Sequence, residues 1–242
     1  MYLFVKKKAI IYTFLVLLGV SSIIITGAIK EAKTDAIKSV PASAPPADMT
    51  ILIDAGHGGF DAGASANGIL EKEVNLSVAL KLKQCIEENG GRVVMTREED
   101  CSTADNVDKG KSAKVSDLKK RRAMIKESGA DMFVSIHMNK FPQEKYKGAQ
   151  VFYAKGNEES RRLGEEIQKA LPLTLNDGNK RAAKESDGSI YILKDAQVPS
   201  VIVECGFLSN KEEAELLINE DYQNKLAWAI YLGIDNYIRA DI

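Results

Sequence analysis

Residues 51–59 read Ile51-Leu52-Ile53-Asp54-Ala55-Gly56-His57-Gly58-Gly59: three aliphatic residues, an acid, then a glycine-rich turn around a histidine. A short apolar run closed by glycines reads as a buried strand. Beyond it the apolar period changes. Val74, Val78, Leu82 and Ile86 fall at helical spacing between Glu71 and Asn89, and Gly90-Gly91 stops the run. Arg92 to Thr96 is strand-like again, and Ser116 caps a predicted helix through Ile125 to Ser128. Met132 to Ile136 is a further apolar strand, ending at His137-Met138-Asn139. Ala149 to Tyr153 is strand-like, and Leu163, Ile167 and Leu171 mark a helix closed by Pro172. Ile190 to Leu193 and Val201 to Val203 read as short strands, and Tyr222, Leu226, Ile230, Ile234 and Tyr237 share one face of a last helix. Strands alternating with helices predict an α/β class, a single domain with a mainly parallel twisted sheet flanked by helices on both faces. No internal repeat or second module interrupts it. The polar stretch Glu98 to Asp117 is the one loop long enough to serve as a lid or partner site.

In front of this domain, Lys6-Lys7-Lys8 precede an uncharged run from Ala9 to Ile29. That run has about the length needed to cross a hydrocarbon core of roughly 30 Å. The lysines should stay in the cytoplasm and send the remainder out. Residues 1–30 are therefore expected to form a membrane anchor. A signal peptide cut near Thr26-Gly27-Ala28 is the alternative. Pro41, Pro45 and Pro46 among alanines and serines make 31–48 a linker, leaving 49–242 as the catalytic domain. The expected location is extracytoplasmic, membrane-anchored or secreted.

Charge narrows the function classes. With 33 basic against 34 acidic residues the chain lacks the basic excess of a nucleic-acid binder. Its 45% apolar content suffices for a core. Three scattered cysteines, Cys85, Cys101 and Cys205, make no disulfide framework and no CxxC pair.

Ligands of open α/β sheets sit outside the carboxyl ends of the strands. Three predicted strands end in residues suited to a metal hydrolase: His57, His137 and Glu204. Catalytic zinc takes three protein ligands, commonly imidazole and carboxylate, and leaves a position for water. Glu71, reached from His57 across a glycine-rich loop, supplies an oxygen ligand. Each residue also has a plainer reading. A histidine at a strand end is commonly a hydrogen-bonded structural residue, and Glu71 would also favour the positive end of the following helix. Glu204 follows Val201-Ile202-Val203, where an unpaired carboxylate would cost several kcal/mol, so it needs a partner. Spacing alone leaves the metal and structural readings level.

Four blocks in order carry a resemblance. They are Asp54-Ala55-Gly56-His57-Gly58-Gly59, Glu71-Lys72-Glu73-Val74-Asn75-Leu76, Ser135-Ile136-His137-Met138-Asn139, and Val203-Glu204-Cys205-Gly206-Phe207-Leu208-Ser209-Asn210. Together they resemble the signature blocks of the zinc-dependent N-acetylmuramoyl-L-alanine amidases, from Thr50 to the last helix. Within that family the chain looks most similar to the sporulation-specific amidase of the spore cortex. The segment Ser135 to Tyr153, which includes Lys147 to Tyr153, supports this, as does the N-terminal anchor.

The resemblance implies Zn2+ held by His57, Glu71 and His137, with Glu204 as catalytic acid/base. It favours Glu71 over its neighbour Glu73. Asn139 is expected to shape its loop or to touch substrate. Cys205 would need a base to act as a nucleophile; with both histidines assigned to the metal, it is read as a small packing residue. The implied reaction cuts the amide between the lactyl group of muramic acid and the first alanine of the stem peptide. In the cortex, a deacetylase would then form muramic-δ-lactam, a mark read at germination. The implied partners are peptidoglycan, the membrane, and an activating or targeting protein, since the chain has no wall-binding repeat. A zinc carboxypeptidase and a non-catalytic, membrane-tethered wall-binding protein are the rival readings.

Overall fold

The computed structural model describes residues 49–104 and 111–240. The anchor and linker expected over 1–48 lie outside the described residues. Within them, no helix is long and apolar enough to cross a membrane.

The fold grows from the opening run. β1 (Thr50–Ala55) is buried along almost its whole length and pairs in parallel with β4 (Arg92–Met95) on one side and β5 (Met132–Asn139) on the other. β8 (Ser200–Phe207) continues the parallel ladder beside β5. Strands buried on both faces read as continuous aliphatic runs, which is why Ile51-Leu52-Ile53 and Val201-Ile202-Val203 signal so clearly. β6 (Gln150–Tyr153) then pairs antiparallel with β8, and β7 (Lys184–Glu185) closes the order β4-β1-β5-β8-β6-β7. The sheet is therefore mixed, mainly parallel with a reversed strand near one edge.

Alternate strand residues face opposite sides. Ile51, Ile53, Val134, Ile136, Val201 and Val203 pack against α1 (Glu71–Glu88), α3 (Glu158–Leu175) and α5 (Glu220–Arg239). Leu52, Phe133 and Ile202 pack on the other side, with Met124 and Ile125 of α2 (Lys111–Glu127) and a 3-10 turn at Tyr191–Leu193. Helices cover both faces, as the alternation predicts.

Local expectations need four corrections. Ile190 to Leu193 is not a strand; Leu193 N–H bonds Ile190 O and winds the segment into the 3-10 turn. Ser116 is not a cap, because the helix already runs at Lys111. Pro172 does not end its helix, which continues to Leu175 and stops at Asn176 in a left-handed conformation. β5 and β8 are longer than the apolar runs suggest, so His137 and Glu204 lie inside strands, directly opposite each other. Three small features were not predicted: a hairpin of β2 (Ser65–Ala66) and β3 (Ile69–Leu70), the edge strand β7, and α4 (Lys211–Leu217). The hairpin turns on Asn67-Gly68, both at positive φ, the usual chemistry of a two-residue hairpin.

Candidate metal centre

The hairpin delivers Glu71 to the site. Its second strand ends at Leu70, and α1 begins with Glu71, whose N–H bonds Ala64 O. The Glu71 side chain turns inward and is buried, whereas Glu73 is exposed. Its Oε1 lies 2.8 Å from His137 Nδ1 and its Oε2 lies 3.3 Å from His57 Nε2. Oε2 also accepts from Ala64 N at 2.6 Å, and Oε1 from Met138 N at 3.2 Å and Asn75 Nδ2 at 3.3 Å. His57, Glu71 and His137 each offer a ligand atom, all within 4.8 Å of one another, a group able to hold a metal ion.

His57 sits beyond the end of β1 with φ of 63°, a conformation that costs a side-chain-bearing residue energy. Two buried arginines hold it there. Arg97 Nε donates to Ala55 O and His57 O, and its Nη2 donates to Gly56 O. Arg121 donates to Ala55 O and His57 O and pairs with Asp54 and Asp117 at 2.5 Å each. Burial opposes the charge of Asp54, but Arg121, with Ser135 and Thr96 bonding the carboxylate, brings its pKa down to about 2. On the far side of the ring, His57 Nδ1 lies 2.9 Å from Asp61 Oδ2, leaving Nε2 to face Glu71. Glycines make the room. A Cβ on Gly56 would run into the His137 ring, and one on Gly63 would meet Glu71 Oε2 and the His57 ring.

Glu204 stands on β8 opposite His137. Burial pushes its carboxyl up to about 6, and the Glu71 charge adds to this while the imidazoles oppose it. Its Oε2 is buried without a hydrogen-bond partner among the described residues. Glu71 goes the other way: burial works against its charge, but the bonds from His137 and His57 hold it well below the usual carboxylate range. The same pairing outweighs burial at His137 and raises that ring to about 9. Two carboxyls with opposed shifts share one small site, the pattern by which acid/base assignments separate.

Asn139 lies past a register irregularity in β5; its carbonyl accepts from Leu208 N and it pairs with Phe207. Cys205 is fully buried in the core, with its thiol pushed well up by burial. Sequence reasoning missed Asp61, Asn75, Arg97 and Arg121. Asn75 was legible as a polar residue four places after Glu71, on the buried face of a helix, where it also donates to Gly56 O at 3.0 Å. The loop after β4 packs on Gly58 and Gly59, and its Ser102 and Thr103 bond Asp117; residues 105–110 lie outside the described residues.

The sequence and fold have known counterparts. Residues 51–236 match the family model described as N-acetylmuramoyl-L-alanine amidase. The germination-specific N-acetylmuramoyl-L-alanine amidase of Bacillus subtilis is 40% identical over 198 residues, 81% of this chain and 83% of that protein. The solved CwlD amidase of Clostridioides difficile, in complex with the GerS lipoprotein, is 46% identical with a TM-score of 0.77, over 80% of this chain and all of that one. An N-acetylmuramoyl-L-alanine amidase of Clostridium difficile 630 is 28% identical with a TM-score of 0.69, covering 80% of this chain and 98% of that chain.

Proposed function

The chain belongs to the N-acetylmuramoyl-L-alanine amidase family and is an amidase of peptidoglycan, and on that premise we propose that His57, Glu71 and His137 hold zinc while Glu204 is the acid/base. Two imidazole nitrogens and one carboxylate oxygen are a donor set suited to catalytic zinc. The contact of His57 Nδ1 with Asp61 supports the fit, since a carboxylate behind a ligating histidine fixes its tautomer and orientation. Zinc bound there supplies a Lewis acid for the scissile carbonyl and makes water a better nucleophile at neutral pH.

The remaining steps belong to the chain. Glu204 accepts a proton from the attacking water and delivers it to the departing alanine nitrogen. Burial favours its protonated form, the direction that helps a carboxylate take up a proton and return it. Asn139, two residues past His137 on β5, contacts the substrate in this reading. The observation that carries the reading is the orphaned Glu204 Oε2 beside three converging ligand atoms.

Cortex peptidoglycan is the proposed substrate, with the bared muramic acid passing to a deacetylase that forms muramic-δ-lactam; the 40% identical germination-specific relative supports this. The enzyme works on the wall outside the cytoplasm, attached by residues 1–30 through the linker 31–48. A second protein positions it, a reading that the CwlD–GerS complex supports.

Paired variants test the division of roles. Glu204→Gln keeps the side-chain shape but takes no proton. It is expected to retain zinc, about one ion per chain, while losing ~10²-fold or more in turnover. Glu71→Gln is expected to lose zinc. The opposite pattern would exchange the two carboxylates.

A further inference from the structure

The row of side chains that begins at His137 does not end at Glu204. Glu204 on β8 faces Gln150 on β6, so His137, Glu204 and Gln150 leave one face of the sheet in line. Directly opposed residues have Cβ atoms about 5 Å apart. Gln150 Oε1 accepts from Arg181 Nη1 at 3.1 Å, which places a guanidinium next in the row. Arg181 Nε donates to Lys147 O at 3.1 Å, and the guanidinium carbon lies 5.0 Å from the centre of the Phe207 ring. The loop carrying it is keyed to β6. Asn179 Nδ2 donates to Ala149 O at 2.7 Å and its Oδ1 accepts from Arg181 N, while a side chain on Gly148 would collide with Asn179.

So the cation is fixed by bonds, a stacked ring and its own loop. Among the described residues it makes no ion pair. Glu213, whose carboxyl feels its charge, accepts hydrogen bonds from the backbone amides of Gly148 and Phe207 instead. A rigid, partly buried guanidinium without a counter-ion, two side chains from the acid/base, is built to receive an anion. Its planar fork matches a carboxylate.

We propose that Arg181 binds a carboxylate of the stem peptide carried one residue beyond the scissile alanine amide. One residue of extended chain spans about 3.5 Å, so such a group reaches past Glu204 towards Gln150 and Arg181. Arg181 also borders a cleft of about 810 Å³ whose lining carries both signs of charge, Lys180 and Lys225 with Asp177, Glu212 and Glu213, and this cleft takes the rest of the stem. This inference rests on the amidase reading of the site.

The test uses the zinc-loaded chain and two sets of disaccharide-peptide fragments. The second stem residue is glutamate with a free α-carboxylate in one set and its α-amide in the other. The wild-type enzyme should cleave both, with a KM lower by ~10-fold or more for the carboxylate. Arg181→Met should bring the ratio of the two KM values near one while keeping zinc and melting temperature. A wild-type ratio of one, or an unchanged ratio in Arg181→Met, overturns the role of Arg181 and leaves the amidase reading intact. Cleavage of neither set by the wild type overturns both. If Arg181→Met does not fold, Arg181→Lys decides, because it keeps the charge without the fork: a ratio reduced several-fold supports the assignment and an unchanged one overturns it.

Discussion

His57 is held in place by what surrounds it more than by its own preferences. Its left-handed backbone is held by carbonyl bonds from Arg97 and Arg121, and its ring is oriented by Asp61. Outer carboxylates of this kind commonly contribute 10–100-fold to metal affinity. Asp61→Ala should therefore weaken zinc binding by about that factor in competition with a chelator, and equal affinity would show that Asp61 does not orient the ring. The ligand candidates could be named from sequence because histidine is scarce and both copies follow apolar runs. Asp61 could not. One aspartate in a glycine-rich loop looks like any other until the loop folds back through the Gly58–Asp61 bridge. The arginines were hidden for a related reason: Arg97 reaches His57 from 40 residues along the chain and Arg121 from 64, and no local pattern records that approach.

At the scale of elements, β1, β5 and α2 are joined by one buried ionic cluster. Asp54 on β1 accepts from Ser135 on β5, Thr96 and Arg121, and Arg121 also pairs with Asp117 one turn earlier on α2. The folded protein holds Asp54 at about 2, below its ordinary value near 4. A depressed carboxyl stabilises the fold fully above its unfolded pKa, and that contribution is lost as pH falls through the folded value. It amounts to roughly 2 kcal/mol and should disappear between about pH 4 and pH 2. Melting curves of the wild type and Asp54→Asn across that range check this. The stability difference between them should shrink with acid, and a difference independent of pH would contradict it. The strands and long helices of this framework were legible because their burial writes a period into the sequence. The reversal of β6 was not. Its direction depends on the return path from Asn139 to Gln150, a charged segment broken by Phe141, Pro142, Tyr146 and Gly148 that has no period. Pro172 misled because a proline near a helix end is common, whereas here Asn176 supplies the stop.

For the whole molecule, the sheet separates two tasks. One face is packed by three helices, with Gly233 of α5 lying so close to Ile167 of α3 that a side chain there would meet its backbone. The other face, covered at Leu52, Phe133 and Ile202 by α2 and the 3-10 turn, carries the row from His137 through Glu204 to Gln150. This division gives one platform to His57, Glu71, His137 and Glu204, the residues proposed to hold the metal and to move the proton. The reaction assigned to it removes the stem from the glycan in one cut at the lactyl amide. Mass spectrometry of purified cortex fragments digested by the zinc-loaded enzyme tests this most directly. Free stem peptides beginning with alanine, with muramic acid left bearing an unsubstituted lactyl carboxyl, are the predicted products. Single amino acids released from the far end of the stem, with muramic acid still substituted, would contradict the account.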